Sequence, residues 1–96
     1  MDRAGMAYTF SARVWYSEWY FVSLPQALAS EIRERFKRFE EGWGRLKVTA
    51  KMGSSEWKTA IWYDTKAQTY FLPLKKAIRT KEKIGIDADV TVSLWV

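Results

Sequence analysis

Two Leu-Pro pairs, Leu24-Pro25 and Leu72-Pro73, stand 48 residues apart in a chain of 96, each just after a short aromatic run. Proline lacks a backbone N–H and holds φ fixed, so each pair ends a strand and sets up the first turn of a helix. Around these pairs the two halves read alike. Val14-Trp15-Tyr16 before the first corresponds to Ile61-Trp62-Tyr63 before the second, an offset of 47. A helical segment follows each proline, residues 26–41 in one half and 74–79 in the other. Each half then closes on an alternating strand, Leu46, Val48 and Ala50 against Val90, Val92 and Leu94. The shared order points to an internal duplication, with repeat one over about 8–52 and repeat two over about 56–96. One copy of roughly 45 residues is too small to hold a core by itself. Two copies related by a pseudo-two-fold can close a barrel and remove exposed strand edges.

The local patterns agree with that plan. Tyr8, Phe10, Ala12, Val14 and Tyr16 share one face of a strand, and Thr9, Ser11, Arg13 and Trp15 the other. Ser17-Glu18 reads as a tight turn into a second strand over 19–22. Ser23 as N-cap with Gln26 three residues on forms a capping box. The helix then carries one apolar stripe, Leu28, Ile32, Phe36 and Phe39, with Glu31/Arg35 and Glu34/Arg38 pairs on its wet side and Gly42 as its stop. Leu46, Val48, Ala50 and Met52 alternate with Arg45, Lys47, Thr49 and Lys51. Further strands are predicted over 57–63, 68–72 and 90–96, with a short helix opened by Pro73. The predicted fold is therefore mainly β with two helices: a double-split β-barrel from an internal duplication, pseudo-two-fold, with one long and one short capping helix. One domain covers residues 6–96, and residues 1–5 read as a loose leader.

Composition narrows the chemistry. Hydrophobic residues make up 48% of the chain, which supplies a core. Cysteine and histidine are both absent. No disulfide framework exists, as suits a reducing cytoplasm, and the commonest general base and metal ligand is missing. No apolar run approaches the roughly 20 residues that span a bilayer, so no membrane role is expected. Asp64, Asp87 and Asp89 sit in turns, where carboxylates commonly accept backbone N–H groups. Ser54 and Ser55 lack a histidine partner. The expectation is a non-enzymatic protein with no metal, no cofactor and no catalytic residues, a monomer or weak homo-oligomer.

Four segments carry a family resemblance: Phe21-Val22-Ser23-Leu24-Pro25 leading into a helix, Gly44-Arg45-Leu46-Lys47-Val48 on a strand, Tyr70-Phe71-Leu72-Pro73-Leu74-Lys75-Lys76-Ala77-Ile78-Arg79, and Gly85-Ile86-Asp87-Ala88-Asp89-Val90. On these the chain resembles, from Trp19 to its end, a family of uncharacterised bacterial and archaeal domains. Relatives look like double-split β-barrels and are sometimes fused to a YdeI-type domain, so the resemblance implies a fold more than a function. The second half is also similar to the swapped-hairpin unit of AbrB-type regulators, which dimerise into such a barrel and bind DNA. Their proline-to-arginine spacing is shorter than Pro73 to Arg79, and their Gly-Asp turn is Ala88-Asp89 here.

The net charge of +5 favours a polyanionic partner. Lys75, Lys76, Arg79, Lys81 and Lys83 form the densest basic cluster, which would grip phosphates or simply solvate a helix end. Arg45, Lys47 and Lys51 make a basic strand face, which would extend that track or serve as an ordinary outward sheet face. Six Trp, five Tyr and five Phe are more rings than so small a core holds. Trp15 and Trp62 take corresponding places in the two halves, pointing away from Val14 and Ile61, where they would stack bases or pack beneath the helices. Trp19, Trp43, Trp57 and Trp95 are expected to pack. The expected function is thus a binding module with weak nucleic-acid affinity through a basic patch. The alternative is a protein-interaction module using exposed aromatic surface, with small-ligand binding or catalysis third.

Overall fold

The first strand alternates as its sequence does: Tyr8 and Phe10 are buried, and Ala7, Thr9 and Ser11 are exposed. The computed structural model describes residues 6–96, so the leader expected over 1–5 lies outside the described residues. The elements run β1 (Ala7–Arg13), β2 (Trp15–Tyr16), β3 (Tyr20–Ser23), α1 (Gln26–Phe36), β4 (Arg45–Met52), β5 (Ser55–Asp64), β6 (Thr69–Pro73), α2 (Lys76–Glu82) and β7 (Asp89–Trp95). All seven strands join one antiparallel sheet in the order β1-β7-β4-β5-β6-β3-β2.

β1 and β2 stand at opposite ends of that order, yet only Val14 separates them in the chain. The sheet must therefore curl until its two ends meet, which its right-handed twist permits. Val14 is fully buried at the junction. Its N–H donates to the Ala88 carbonyl and its carbonyl accepts from the Asp87 N–H, both at 2.9 Å. The protein is thus mainly β with two helices, a curled antiparallel half-barrel. Its interior is filled by Val22, Ile61, Tyr70, Leu72, Leu74, Val92 and Leu94, all without solvent exposure.

The helices lie at opposite ends of β6. The Leu24 N–H donates to the Tyr70 carbonyl at 3.0 Å and Gln26 Nε2 to the Ala67 carbonyl at 3.0 Å, which sets α1 over one mouth. At the other, the Leu74 N–H donates to the Tyr20 carbonyl at 2.8 Å, and Ser55 Oγ donates to Glu82 Oε2 at 2.6 Å. Ala29 and Ile32 of α1 and Ile78 of α2 are buried against the sheet. Among the described residues no helix is long and apolar enough to cross a membrane.

Several expected boundaries move. Ser23 does not cap α1; it belongs to β3, opposite Phe71, and its Oγ accepts a 2.9 Å bond from Trp15 Nε1. With Gln26 turned to Ala67, no capping box forms. α1 ends at Phe36 and passes into a 3-10 turn over Lys37–Phe39. The tighter winding carries Phe39 off the apolar stripe, and it is 59% exposed, whereas Leu28 and Phe36 pack against the core. Pro73 stays in β6, and the second helix runs Lys76–Glu82, because Leu74 still donates to Tyr20 across the ladder.

Candidate functional site

Side chains alternate across a strand, so where Leu46, Ile61, Val22 and Leu72 point inward, Arg45, Trp62, Phe21 and Phe71 point outward. Strand pairing lines these up. Arg45 lies opposite Trp62, Trp62 opposite Phe71, Phe71 opposite Ser23, Phe21 opposite Pro73, and Trp15 opposite Phe21. A continuous row thus crosses β4, β5, β6, β3 and β2 on the outside of the half-barrel.

Within the row Trp15 is a support. Its ring stacks on Phe21 at 4.7 Å and 27°, meets Phe71 edge-on at 4.9 Å, and is fixed through Nε1 to Ser23. Trp62 remains 37% exposed and Trp19, before β3, 49%. Trp19, Phe21, Trp62, Phe71 and Pro73 line an open apolar groove. The two tryptophans singled out in the sequence both face outward and share one cluster. Their environments differ: Trp15 is half-buried beneath its neighbours, and Trp62 offers its ring to solvent.

Cations stand beside the groove at its β4 end. The Arg45 guanidinium sits 5.5 Å from the Trp62 ring centre and 2.6 Å from Glu41 Oε1; Lys47 Nζ is 3.5 Å from Glu41 Oε2. The Arg45 hydrogen bond leads in holding the Glu41 carboxyl below its usual range, with Lys47 contributing. One carboxylate is thus shared by two cations, and a positive excess remains. Beyond them the outer face of β4 and β5 continues as a second open groove, lined by Arg45, Lys47, Thr49, Lys58 and Trp95. Lys51 is exposed further along, opposite Glu56.

Lys75 and Lys76, both exposed, come two and three residues after Pro73, with the buried Leu74 between. The cluster predicted on this segment is divided. Arg79 is half-buried: its Nε donates to the Leu74 carbonyl at 3.0 Å and its guanidinium lies 3.8 Å over the Tyr20 ring. Lys81 and Lys83 stand at the far end of α2, where Lys83 takes the left-handed cap conformation.

Phe21, Phe71 and Lys58 are outward residues that no sequence motif marks, and Trp19, expected to pack, lines the groove. Alternation beside the buried Val22 and Leu72 was the available signal for the first two. Trp43, also expected to pack, is 94% exposed at φ 67° between Gly42 and Gly44. Turn roles expected of carboxylates are present at Asp64, which accepts the Ala67 N–H at 2.7 Å.

Residues 10–94 match the family described as a domain of unknown function, DUF1905. No curated protein matches the chain.

Proposed function

This chain belongs to the DUF1905 family, and we propose that it is a non-enzymatic, cytoplasmic binding module for nucleic acid. The observation that carries the reading is the outward aromatic groove with the Arg45 guanidinium beside its Trp62 ring, Lys47 two residues further along β4, and the exposed Lys75 and Lys76 shortly after its lining residue Pro73. Aromatic faces bind bases without sequence preference, and flanking cations take the phosphates. Arg79, the residue an AbrB-type contact would use, is engaged with Tyr20 and Leu74, so the reading rests on the two lysines before it.

We further propose that the fold is a double-split barrel made by duplication. Its pairing pattern supports this. Exchange β1 and β2 for β5, β3 for β6, and β4 for β7. The β1–β7 ladder then becomes β5–β4, β2–β3 becomes β5–β6, and β3–β6 and β4–β7 map onto themselves. The two helices exchange in the same operation.

Fluorescence anisotropy with labelled duplex and single strands, from low to moderate salt, tests the binding reading. Engaging about five phosphates gives a log–log salt slope near −4. Changing Lys47, Lys75 and Lys76 to Ala flattens it by about two to three units and weakens binding on every sequence alike. No binding to either form at about 50 mM salt with protein near 100 μM overturns the proposal, because non-specific binders reach that range. A protein partner is favoured by a different place, the exposed Trp43 and Phe39 beyond α1, and would then take precedence.

A further inference from the structure

Resting on the nucleic-acid reading above, we infer that the groove takes a single strand rather than a duplex. Bases stack on Trp62 and Trp19, and phosphates run past Arg45 and Lys47 and past Lys75 and Lys76. A duplex hides its base faces within its own stack; a single strand presents them to any exposed ring. The residues lining the groove, Trp19, Phe21, Trp62, Phe71 and Pro73, include no backbone-independent hydrogen-bonding group except the indole N–H of each tryptophan. Such a surface recognises a π face and does not read base edges.

The row is also preorganised. Phe21 is stacked on Trp15, and Trp15 is tied by its Nε1 to Ser23, so the floor is ordered before a base arrives. Arg45 lies over Trp62 on the flank where a phosphate would pass, which adds cation–π attraction beside the stacked base. Four strand spacings separate Arg45 from Trp15, roughly 19 Å on a curled surface. That length suits about four nucleotides, the short end for platforms of this kind. Of the carboxylates nearby, Glu41 is shared between Arg45 and Lys47, Asp64 is bonded to the Ala67 N–H, and Glu18 adjoins Trp19 in the chain.

The test uses the full chain, a labelled oligothymidylate of about 12 nucleotides and a labelled duplex of equal length, compared at low salt by anisotropy. The single strand is expected to bind at least about tenfold tighter. Trp62→Leu keeps an apolar side chain opposite Phe71 while removing the broad ring, and Trp19→Ser alters an exposed side chain; each lowers single-strand affinity by about tenfold and leaves duplex affinity unchanged. Trp62→Phe restores most of the loss. Equal binding of both forms, or no effect of the tryptophan variants, overturns the single-strand inference while the nucleic-acid reading stands. Loss of both forms on changing Lys75 and Lys76 to Ala, without tryptophan dependence, likewise overturns the inference and leaves the nucleic-acid reading in place. Failure of both forms to bind removes both proposals. Displacement of the single strand by a proline-rich peptide that binds the groove more tightly assigns it to a protein ligand and overturns the inference.

Discussion

Tyr70 donates its phenolic hydrogen bond to the carboxylate of Glu40, tying a fully buried ring of β6 to the segment that follows α1. Burial is the largest influence on this phenol, followed by the bond to Glu40 and its negative charge; together they push the pKa well above the ordinary tyrosine range. Arg33, whose guanidinium lies 3.6 Å over the neighbouring Tyr63 ring, opposes them more weakly.

A raised pKa means the native state holds the proton more tightly than the unfolded chain. The stability this contributes is complete below the unfolded phenol value near 10 and is lost as pH rises through the folded value. Ultraviolet difference titration should therefore find a tyrosine component that ionises only with alkaline unfolding, and Tyr70→Phe should diminish that component. The substitution also strands the Glu40 carboxylate and should cost about 1–2 kcal/mol at neutral pH. A variant as stable as the parent would show that the bond contributes nothing.

Two residues on one predicted stripe should behave differently. Ile32 is fully buried under α1, so Ile32→Ala should cost about 2–4 kcal/mol in chemical denaturation. Phe39, turned outward by the 3-10 winding, should lose less than about 0.5 kcal/mol on the same change. Equal costs would contradict the exposure that separates them.

Trp43 and Gly44 share the left-handed backbone region, at φ 67° and 71°, with opposite consequences. The Trp43 ring touches so little that Trp43→Gly should stay within about 0.5 kcal/mol of the parent, although removal of a buried tryptophan costs about 3–5 kcal/mol. Gly44→Ala places a Cβ 3.2 Å from the Tyr63 Cβ at a φ that disfavours any side chain, and should lose about 1 kcal/mol or more. Thermal or chemical denaturation of the two variants separates these outcomes.

Which parts of this fold are legible along the chain follows from the range of the interactions involved. Arg45, Lys47 and Lys51 are recognisable as an outward face because a period of two is local and depends on nothing beyond β4. Ile32 is recognisable as core from spacing along one helix. Ser23 misleads because its role depends on a partner 48 residues away: paired with Phe71, it continues a strand, and its hydroxyl becomes the acceptor for Trp15. Arg79 groups with its lysine neighbours by charge, but the ring it covers, Tyr20, comes from the other half of the chain.

The amino-acid sequence by itself determined the alternating faces of β1 and β4, the two proline-marked turns toward helices and the basic balance of the surface, because each is set by near neighbours and by composition; the break at Val14, which leaves Tyr16 53% exposed, was not among them. Only the tertiary structure decided that Arg45, Trp62, Phe71, Phe21 and Trp15 form one row, since that depends on the order β4-β5-β6-β3-β2. It also decided which rings remain free, because burial of Trp15 beneath Phe21 and exposure of Trp62 follow from how the sheet curls to join its ends at Val14. Local periodicity assigns a side chain to a face, and long-range pairing selects its neighbours on that face.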